Sequence, residues 1–477
     1  MDYTYRQLIG GKWLPSANSG VWAVENPATE EPVREVPFGD AADCRLALEA
    51  AAAAFPKWSR STAYERAAVL KRAAELIRER AGELGRTTVL ESGKPFVQAK
   101  GEWSVAADLF EWFAEEGKRA YGRVIPSRNP ARRLLVLRQP VGVVGIITAW
   151  NFPIYNIARA AAAALAAGCT VVLRPSEYTP LTAMELVNVL IEAGIPEGVV
   201  NLVNGEPAAM GQEMLSNPLC AKIHFTGSPR VGRLLMDGAS RTVTRLSLEL
   251  GGNAPVLIFP DVDLDQVAAG AVVAKFRNGG QVCVSPQRFF VHRSIAAGFA
   301  ERVAELAGKL CLGNGLDLAT QVGPLINARA IAKVQGLVED AVKKGAKVET
   351  GGHARDLFFE GTVLTGATTD MEVFSTEIFG PVAPLFKFDT EADGIRMAND
   401  TPFGLAAYAY TRDIGRAMRV ASKLQYGMVG MNDGLISTEV TPFGGMKESG
   451  LGREGAMEGL DEYLQVKYIS YGGLGDL

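Results

Sequence analysis

From residue 140 to residue 225 the chain alternates short apolar runs with amphipathic stretches. Residues 141–147, 170–173, 199–203 and 222–225 read as buried strands, with helices over 155–167, 180–193 and 208–215 between them. Continuous apolar strands separated by helices predict a parallel sheet covered on both faces. A second series begins after the alternating stretch Leu246-Ser-Leu-Glu-Leu-Gly-Gly252: a strand over 254–259, a helix over 263–276, a strand over 288–292, and helices over 294–310 and 328–344. Upstream, residues 8–37 read as short strands and turns forming a hairpin on a larger body. Apolar residues at three- and four-residue spacing predict helices over 43–55, 62–80 and 98–116. The Pro- and Arg-rich segment 121–139 and the stretch 463–471 read as strands of a protruding arm that pair with each other or with another subunit.

The bulk numbers narrow this picture. At 477 residues, 48% apolar, the chain is long enough for two or three domains with large cores. A net charge of −4 and no clustered basic face argue against a nucleic-acid partner. The longest apolar run, 160–173, is too short to cross a bilayer, and the first residues lack the pattern of an export signal. Five singly scattered cysteines with no Cys-x-x-Cys spacing fit reduced thiols in a cytoplasm. Three histidines far apart in sequence give no metal-ligand spacing, so no metal site is expected.

One thiol stands out. Cys283 lies in Phe276-Arg-Asn-Gly-Gly-Gln-Val-Cys283-Val-Ser-Pro286, where glycines allow close approach of a substrate and valines wall the sulfur. Taken alone, a free cysteine is more often a small buried hydrophobe than a nucleophile. With histidine so scarce, a base for Cys283 is expected to be a carboxylate or a water. Gly450-Leu-Gly-Arg-Glu-Gly455 fits the dinucleotide pattern G-x-G-x-x-G but follows no apolar strand, so it carries little weight.

Seven short motifs lie in order along the chain: Trp150-Asn-Phe-Pro, Arg174-Pro-Ser-Glu, Phe225-Thr-Gly-Ser, Glu249-Leu-Gly-Gly, Gly280-Gln-Val-Cys, Glu377-Ile-Phe-Gly-Pro and Pro442-Phe-Gly-Gly. Together they closely resemble the aldehyde dehydrogenase superfamily over essentially the whole chain, and within it the succinate semialdehyde dehydrogenases. The resemblance implies an α/β fold: a Rossmann-like cofactor domain (1–120 and 140–250), an α/β catalytic domain (251–445) and a small β oligomerisation arm (121–139 and 460–477) that makes a homodimer or homotetramer. It implies Cys283 as nucleophile, the Asn151 amide with the Cys283 N–H as donors to the alkoxide, and Glu249 as the base that activates water. NAD is the implied cofactor, with NADP as an alternative, held by Trp150, Arg174, Ser176, Glu177, Gly227, Ser228, Glu377 and Phe379. Arg174 stands where the family usually has lysine, and its fork suits phosphate, whereas Glu177 repels a 2′-phosphate. Arg159, Arg277 and Ser437 match the positions that hold the distal carboxylate of succinate semialdehyde. A clamp of this kind also accepts sulfolactaldehyde or glutarate semialdehyde, so the implied substrate is a small anionic aldehyde. Ser285 replaces a second cysteine common in close relatives, so no local disulfide is expected at Cys283.

Overall fold

The computed structural model describes residues 5–473. Its first sheet has eight strands, and five of them are parallel: Val200–Leu202, Thr170–Arg174, Val143–Ile147, Cys220–Gly227 and Arg245–Leu250, in that spatial order. By chain position this is third, second, first, fourth, fifth, the order of the doubly wound dinucleotide-binding fold. The order reverses between Val143–Ile147 and Cys220–Gly227, which opens a crevice at their carboxyl ends. The fully buried strands Val143–Ile147 and Thr170–Arg174 and the alanine-rich helix Pro153–Ala167 form the centre of the core. Two antiparallel N-terminal strands, Gln7–Ile9 and Lys12–Leu14, close one edge, and Gly450–Leu451 closes the other.

A second sheet of seven strands contains Val382–Phe388, Pro286–His292, Ala254–Ile258, Ala406–Tyr410 and Met428–Met431 as parallel neighbours. The chain crosses from one sheet to the other through Gly251, Gly252 and Asn253, between Arg245–Leu250 and Ala254–Ile258. The carboxyl ends of the first sheet therefore face the amino ends of the second, and Cys283 lies just ahead of Pro286–His292. A separate antiparallel sheet joins Leu464–Gly472 to Arg132–Pro140 over nine residue pairs, with Arg123–Ile125 on the far side. The expected pairing of 463–471 with 133–138 is thus made within the chain.

The helix expected over 62–80 runs twelve residues further, as Ala63–Ser92. Gly82 and Gly85 weaken its apolar period, yet Gly85 serves packing. A Cβ there would stand 3.2 Å from the Lys100 backbone of the antiparallel helix Phe96–Glu116. Gly93, in the left-handed region at φ 72°, ends the helix. The stretch 450–455 forms a two-residue edge strand and a turn before a short helix, Ala456–Asp461, not a dinucleotide loop.

Candidate active site

Cys283, Glu249 and Asn151 come from three parts of the chain and line one cavity of about 290 Å³. Asn151 follows the strand Val143–Ile147, at the switch point, and Glu249 is the last residue but one of the strand Arg245–Leu250. Gly252 lets the two sheets meet here: a Cβ on it would lie 2.8 Å from the Cys283 carbonyl oxygen. The backbone of Asn151 is pinned because its carbonyl accepts from Lys94 Nζ at 2.9 Å and Asn278 Nδ2 at 3.0 Å. Its Nδ2 donates to the Gln281 carbonyl at 3.1 Å, which turns the amide toward the cysteine loop. The Cys283 N–H has no intramolecular acceptor among the described residues, so amide and N–H are both available to an oxygen on a bound carbon.

Burial, then the neighbouring Glu249 carboxylate, pushes the Cys283 thiol well above its ordinary range, with Arg159 pulling the other way. Burial, followed by the nearby Glu454 carboxylate, raises Glu249 to about 8, while Arg159 and contact with the Cys283 thiol oppose the rise. Glu249 Oε1 and Thr226 Oγ1 are buried without hydrogen-bond partners, and the two residues sit opposite each other on adjacent strands. Such a pair of orphan oxygens suits a water held for attack. Cys44, Cys169 and Cys220 are buried with thiols pushed up to about 12, 11 and 11 by burial, and Cys311 is exposed.

Arg159, Arg277 and Ser437 line the same cavity, as do Phe152, Tyr155 and Phe443. The two arginines differ. Arg159, 3% exposed, stacks over Phe443 at 3.8 Å and lies 2.8 Å from Glu454. Glu454 in turn lies 2.6 Å from His224 Nε2, and His224 Nδ1 is 3.0 Å from the Tyr463 hydroxyl. Burial works against the Glu454 charge, but Arg159 and His224 outweigh it and hold that carboxyl below its usual range. Arg277 has no ion-pair partner among the described residues, and its Nε makes no hydrogen bond. The cavity therefore holds one compensated and one uncompensated guanidinium.

Four participants have no signature in the sequence. Lys94 and Glu102 form a fully buried ion pair, and Glu102 Oε1 also accepts from the Ile154 and Tyr155 N–H groups at 3.0 and 3.1 Å. A carboxylate from one helix thus caps the helix Pro153–Ala167, where its partial positive charge favours an anion. Glu454 and His224 are equally silent: each alone reads as a surface or packing residue. The only local signal is negative, since the break Ser92-Gly-Lys-Pro95 is polar text without an obvious task.

A second cavity, about 560 Å³, shares Asn151, Thr226, Glu249 and Cys283 with the first and continues past Trp150, Gly227, Ser228, Lys333, Glu377 and Phe379. Its residues fit a nicotinamide dinucleotide. Ser228 caps the eleven-residue helix Pro229–Ala239, whose N-terminus opens at the switch point and suits a phosphate. Glu377 accepts from the Gly252 N–H through Oε1 at 3.1 Å, which leaves an oxygen for a sugar hydroxyl. Phe379 packs edge-on against Trp150 at 5.6 Å in a left-handed backbone conformation, φ 51°, that a phenylalanine seldom adopts. Arg174 ends the strand Thr170–Arg174, with Ser176 and Glu177 just after it, and none of the three lines this cleft. Arg174 Nη2 is bonded to Glu177 at 2.9 Å and to the Gly205 carbonyl at 2.7 Å, while its Nε is buried without a hydrogen-bond partner. Among the described residues no group of three His, Cys, Asp or Glu side chains is placed to hold a metal, and no helix is long and apolar enough to cross a membrane.

Comparison with known proteins shows what the whole chain is similar to. The chain is 48% identical over 473 residues to the succinate-semialdehyde dehydrogenase [NADP(+)] of Escherichia coli (strain K12), with 98% of each chain covered. It is 50% identical over 468 residues to a glutarate-semialdehyde dehydrogenase of Pseudomonas putida, again with 98% of each covered. The crystal structure of a succinate-semialdehyde dehydrogenase from Burkholderia pseudomallei superposes with a TM-score of 0.97 at 48% identity, covering 98% of both chains. Residues 13–469 match the aldehyde dehydrogenase family as a whole, and the chain belongs to that family.

Proposed function

We propose that this chain oxidises a small aldehyde with a distal anionic group, succinate semialdehyde in first place, to the corresponding acid with NAD or NADP. One observation carries the reading: the cavity that brings Cys283, Glu249 and Asn151 together also contains Arg277, a cation with no ion-pair partner among the described residues. An uncompensated guanidinium in a partly apolar cavity favours an anionic ligand.

In this reading Cys283 loses its proton to water as the sulfur adds to the aldehyde carbon. A C–S bond forms, and the carbonyl π pair moves onto oxygen, where the Asn151 amide and the Cys283 N–H stabilise it. The nicotinamide dinucleotide, when bound, supplies the hydride acceptor. What remains on Cys283 is a thioester. Glu249 then takes a proton from water, the water oxygen adds to the thioester carbon, the C–S bond breaks with its electron pair going to the sulfur, which takes the proton back from Glu249, and the acid leaves. Thr226 Oγ1 helps Glu249 hold that water. Arg277 and Ser437 hold the far end of the substrate, and Arg159 supports it from within its ion pair. Glu377, Ser228, Trp150 and Phe379 bind the dinucleotide. Arg174 holds Glu177 and offsets part of its charge, so that a 2′-phosphate is tolerated while NAD is favoured.

The same reading assigns 1–120 and 140–250 to the cofactor, 251–445 to catalysis and the three-stranded sheet to joining copies of a cytoplasmic homotetramer or homodimer. A panel of succinate semialdehyde, glutarate semialdehyde, sulfolactaldehyde and a neutral aldehyde, each with NAD and NADP, tests it by the rise in nicotinamide absorbance. Expected is a preference for the acidic aldehydes. No turnover on any acidic aldehyde with either dinucleotide refutes the reading.

A further inference from the structure

Asn156 is 4% exposed, lines the catalytic cavity and sits on the first turn of the helix Pro153–Ala167, one helical turn from Arg159. Its Nδ2 donates to Asn151 Oδ1 at 3.4 Å, and its Oδ1 accepts from Arg159 Nη2 at 3.4 Å. It therefore joins the group read as the alkoxide donor to one of the groups read as the substrate's anion anchor. Both contacts are long. Hydrogen bonds around a catalytic centre are often loose in the free enzyme and tighten when substrate arrives.

The two ends of an asparagine amide have nearly the same shape, so only its partners decide which end faces the reacting carbon. Lys94 and Asn278 fix the Asn151 backbone but do not touch its amide. The amide has two partners among the described residues: the Gln281 carbonyl, which can only accept, and Asn156 Nδ2, which can only donate. We propose that Asn156 is a positioning residue that keeps the Asn151 Nδ2 end toward the cysteine loop, and that it couples this orientation to Arg159. A substrate anion that draws on Arg159 acts on Asn156, and through it on the alkoxide donor. Acidic aldehydes thereby gain in the hydride-transfer step itself as well as in binding. The proposal rests on the reading of Asn151 as the alkoxide donor.

The decisive change is Asn156→Asp. It conserves shape and keeps an acceptor for Arg159, yet it places an acceptor opposite Asn151 Oδ1, so the amide must turn. Single-turnover hydride transfer with a neutral aldehyde, which removes the anion anchor from the measurement, is expected to fall about a hundredfold, the cost of losing one oxyanion donor. Asn156→Leu, which removes the partner without opposing it, is expected to slow the same step roughly fivefold to tenfold, the worth of one neutral hydrogen bond, with KM nearly unchanged. With succinate semialdehyde, Asn156→Leu should also shrink the advantage of the acidic substrate in the hydride-transfer step. Asn151→Ala is the control. If it leaves hydride transfer intact, the reading of Asn151 fails. If Asn151→Ala is crippled while Asn156→Asp transfers hydride as fast as Asn156→Leu, or if Asn156→Leu changes only KM, the positioning role of Asn156 fails. Should Asn156→Asp not fold, the split between rate and KM in Asn156→Leu decides.

Discussion

Replacing Arg277 by methionine removes the uncompensated cation of the cavity while keeping a stem of similar length. Arg277 lies at the start of the cysteine loop, with its guanidinium 5.6 Å from the Phe152 ring and its Nε unbonded. No ion pair has to be broken when a substrate anion arrives. Two unit charges about 4 Å apart at an effective dielectric of about 20 attract by about 4 kcal/mol before desolvation is counted. Hydrogen bonds to charged groups retain a net value of roughly 1.5–3 kcal/mol. At about 1.4 kcal/mol per tenfold, kcat/KM for succinate semialdehyde should therefore fall by roughly tenfold to a hundredfold. Most of the loss should appear in KM, because the charge at the far end of the substrate is unchanged by the chemistry. The assay is steady-state turnover of succinate semialdehyde beside butanal, which has the same chain length and no charge. Butanal should be nearly indifferent to the change. Equal losses on the two substrates would mean that Arg277 supports the loop and not the anion, and the clamp would have to be abandoned.

Arg159→Met should behave differently, since it strands the Glu454 carboxylate in a buried site beside His224 without its guanidinium; breaking a buried pair from one side costs about 3–5 kcal/mol, to be read in denaturant unfolding. Stability unchanged within about 1 kcal/mol would show the pair to be solvated in solution. Glu249→Gln should give one burst of reduced nicotinamide and then stop, whereas continued turnover would move the base elsewhere. Because burial raises Glu249 in the folded chain to about 8, its contribution to stability is complete below the unfolded value of 4.5 and is lost as pH rises through 8. The Gln variant should accordingly gain stability over wild type as pH climbs through that window, and a constant difference from pH 5 to pH 9 would refute the shift. Gly252→Ala should cost activity far more than folding, since its Cβ meets the Cys283 carbonyl at 2.8 Å; equal kcat would show that the loop has room to retreat.

The parts of this site that were legible in the sequence share one property. Cys283, Glu249 and Asn151 stand at strand ends or in glycine-rich loops, where a polar residue interrupts an apolar pattern and so invites a functional reading. Motif order then tied them together across the two sheets. The parts that escaped are of another kind. Lys94, Glu102, Glu454 and His224 are ordinary polar residues whose burial depends wholly on partners distant in the chain. A charge in a helical pattern looks solvated until its counter-charge is known, and sequence spacing names no counter-charge across more than a turn of helix. The misplaced end of the second helix has the same cause: Gly85 reads as a break, and only its approach to Lys100 shows it to be a contact.

This difference bears on Arg159 directly. From sequence, Arg159 and Arg277 are equivalent halves of a clamp, because each is an arginine at a matching position. In the folded chain they are unequal, because Glu454 neutralises one and nothing among the described residues neutralises the other. A substrate anion therefore meets a cavity with a net charge near one and not two, provided Glu249 is protonated. A monoanionic carboxylate or sulfonate matches that balance. A dianionic phosphate would bury a second, uncompensated charge, which a site of this polarity penalises. On this balance Glu454, which is not among the residues lining the cavity, is expected to disfavour phosphorylated aldehydes, and replacing it by glutamine should relax that preference: the ratio of kcat/KM between a phosphorylated aldehyde and succinate semialdehyde should rise. An unchanged ratio would mean that the shape of the cavity, and not its charge, sets the choice.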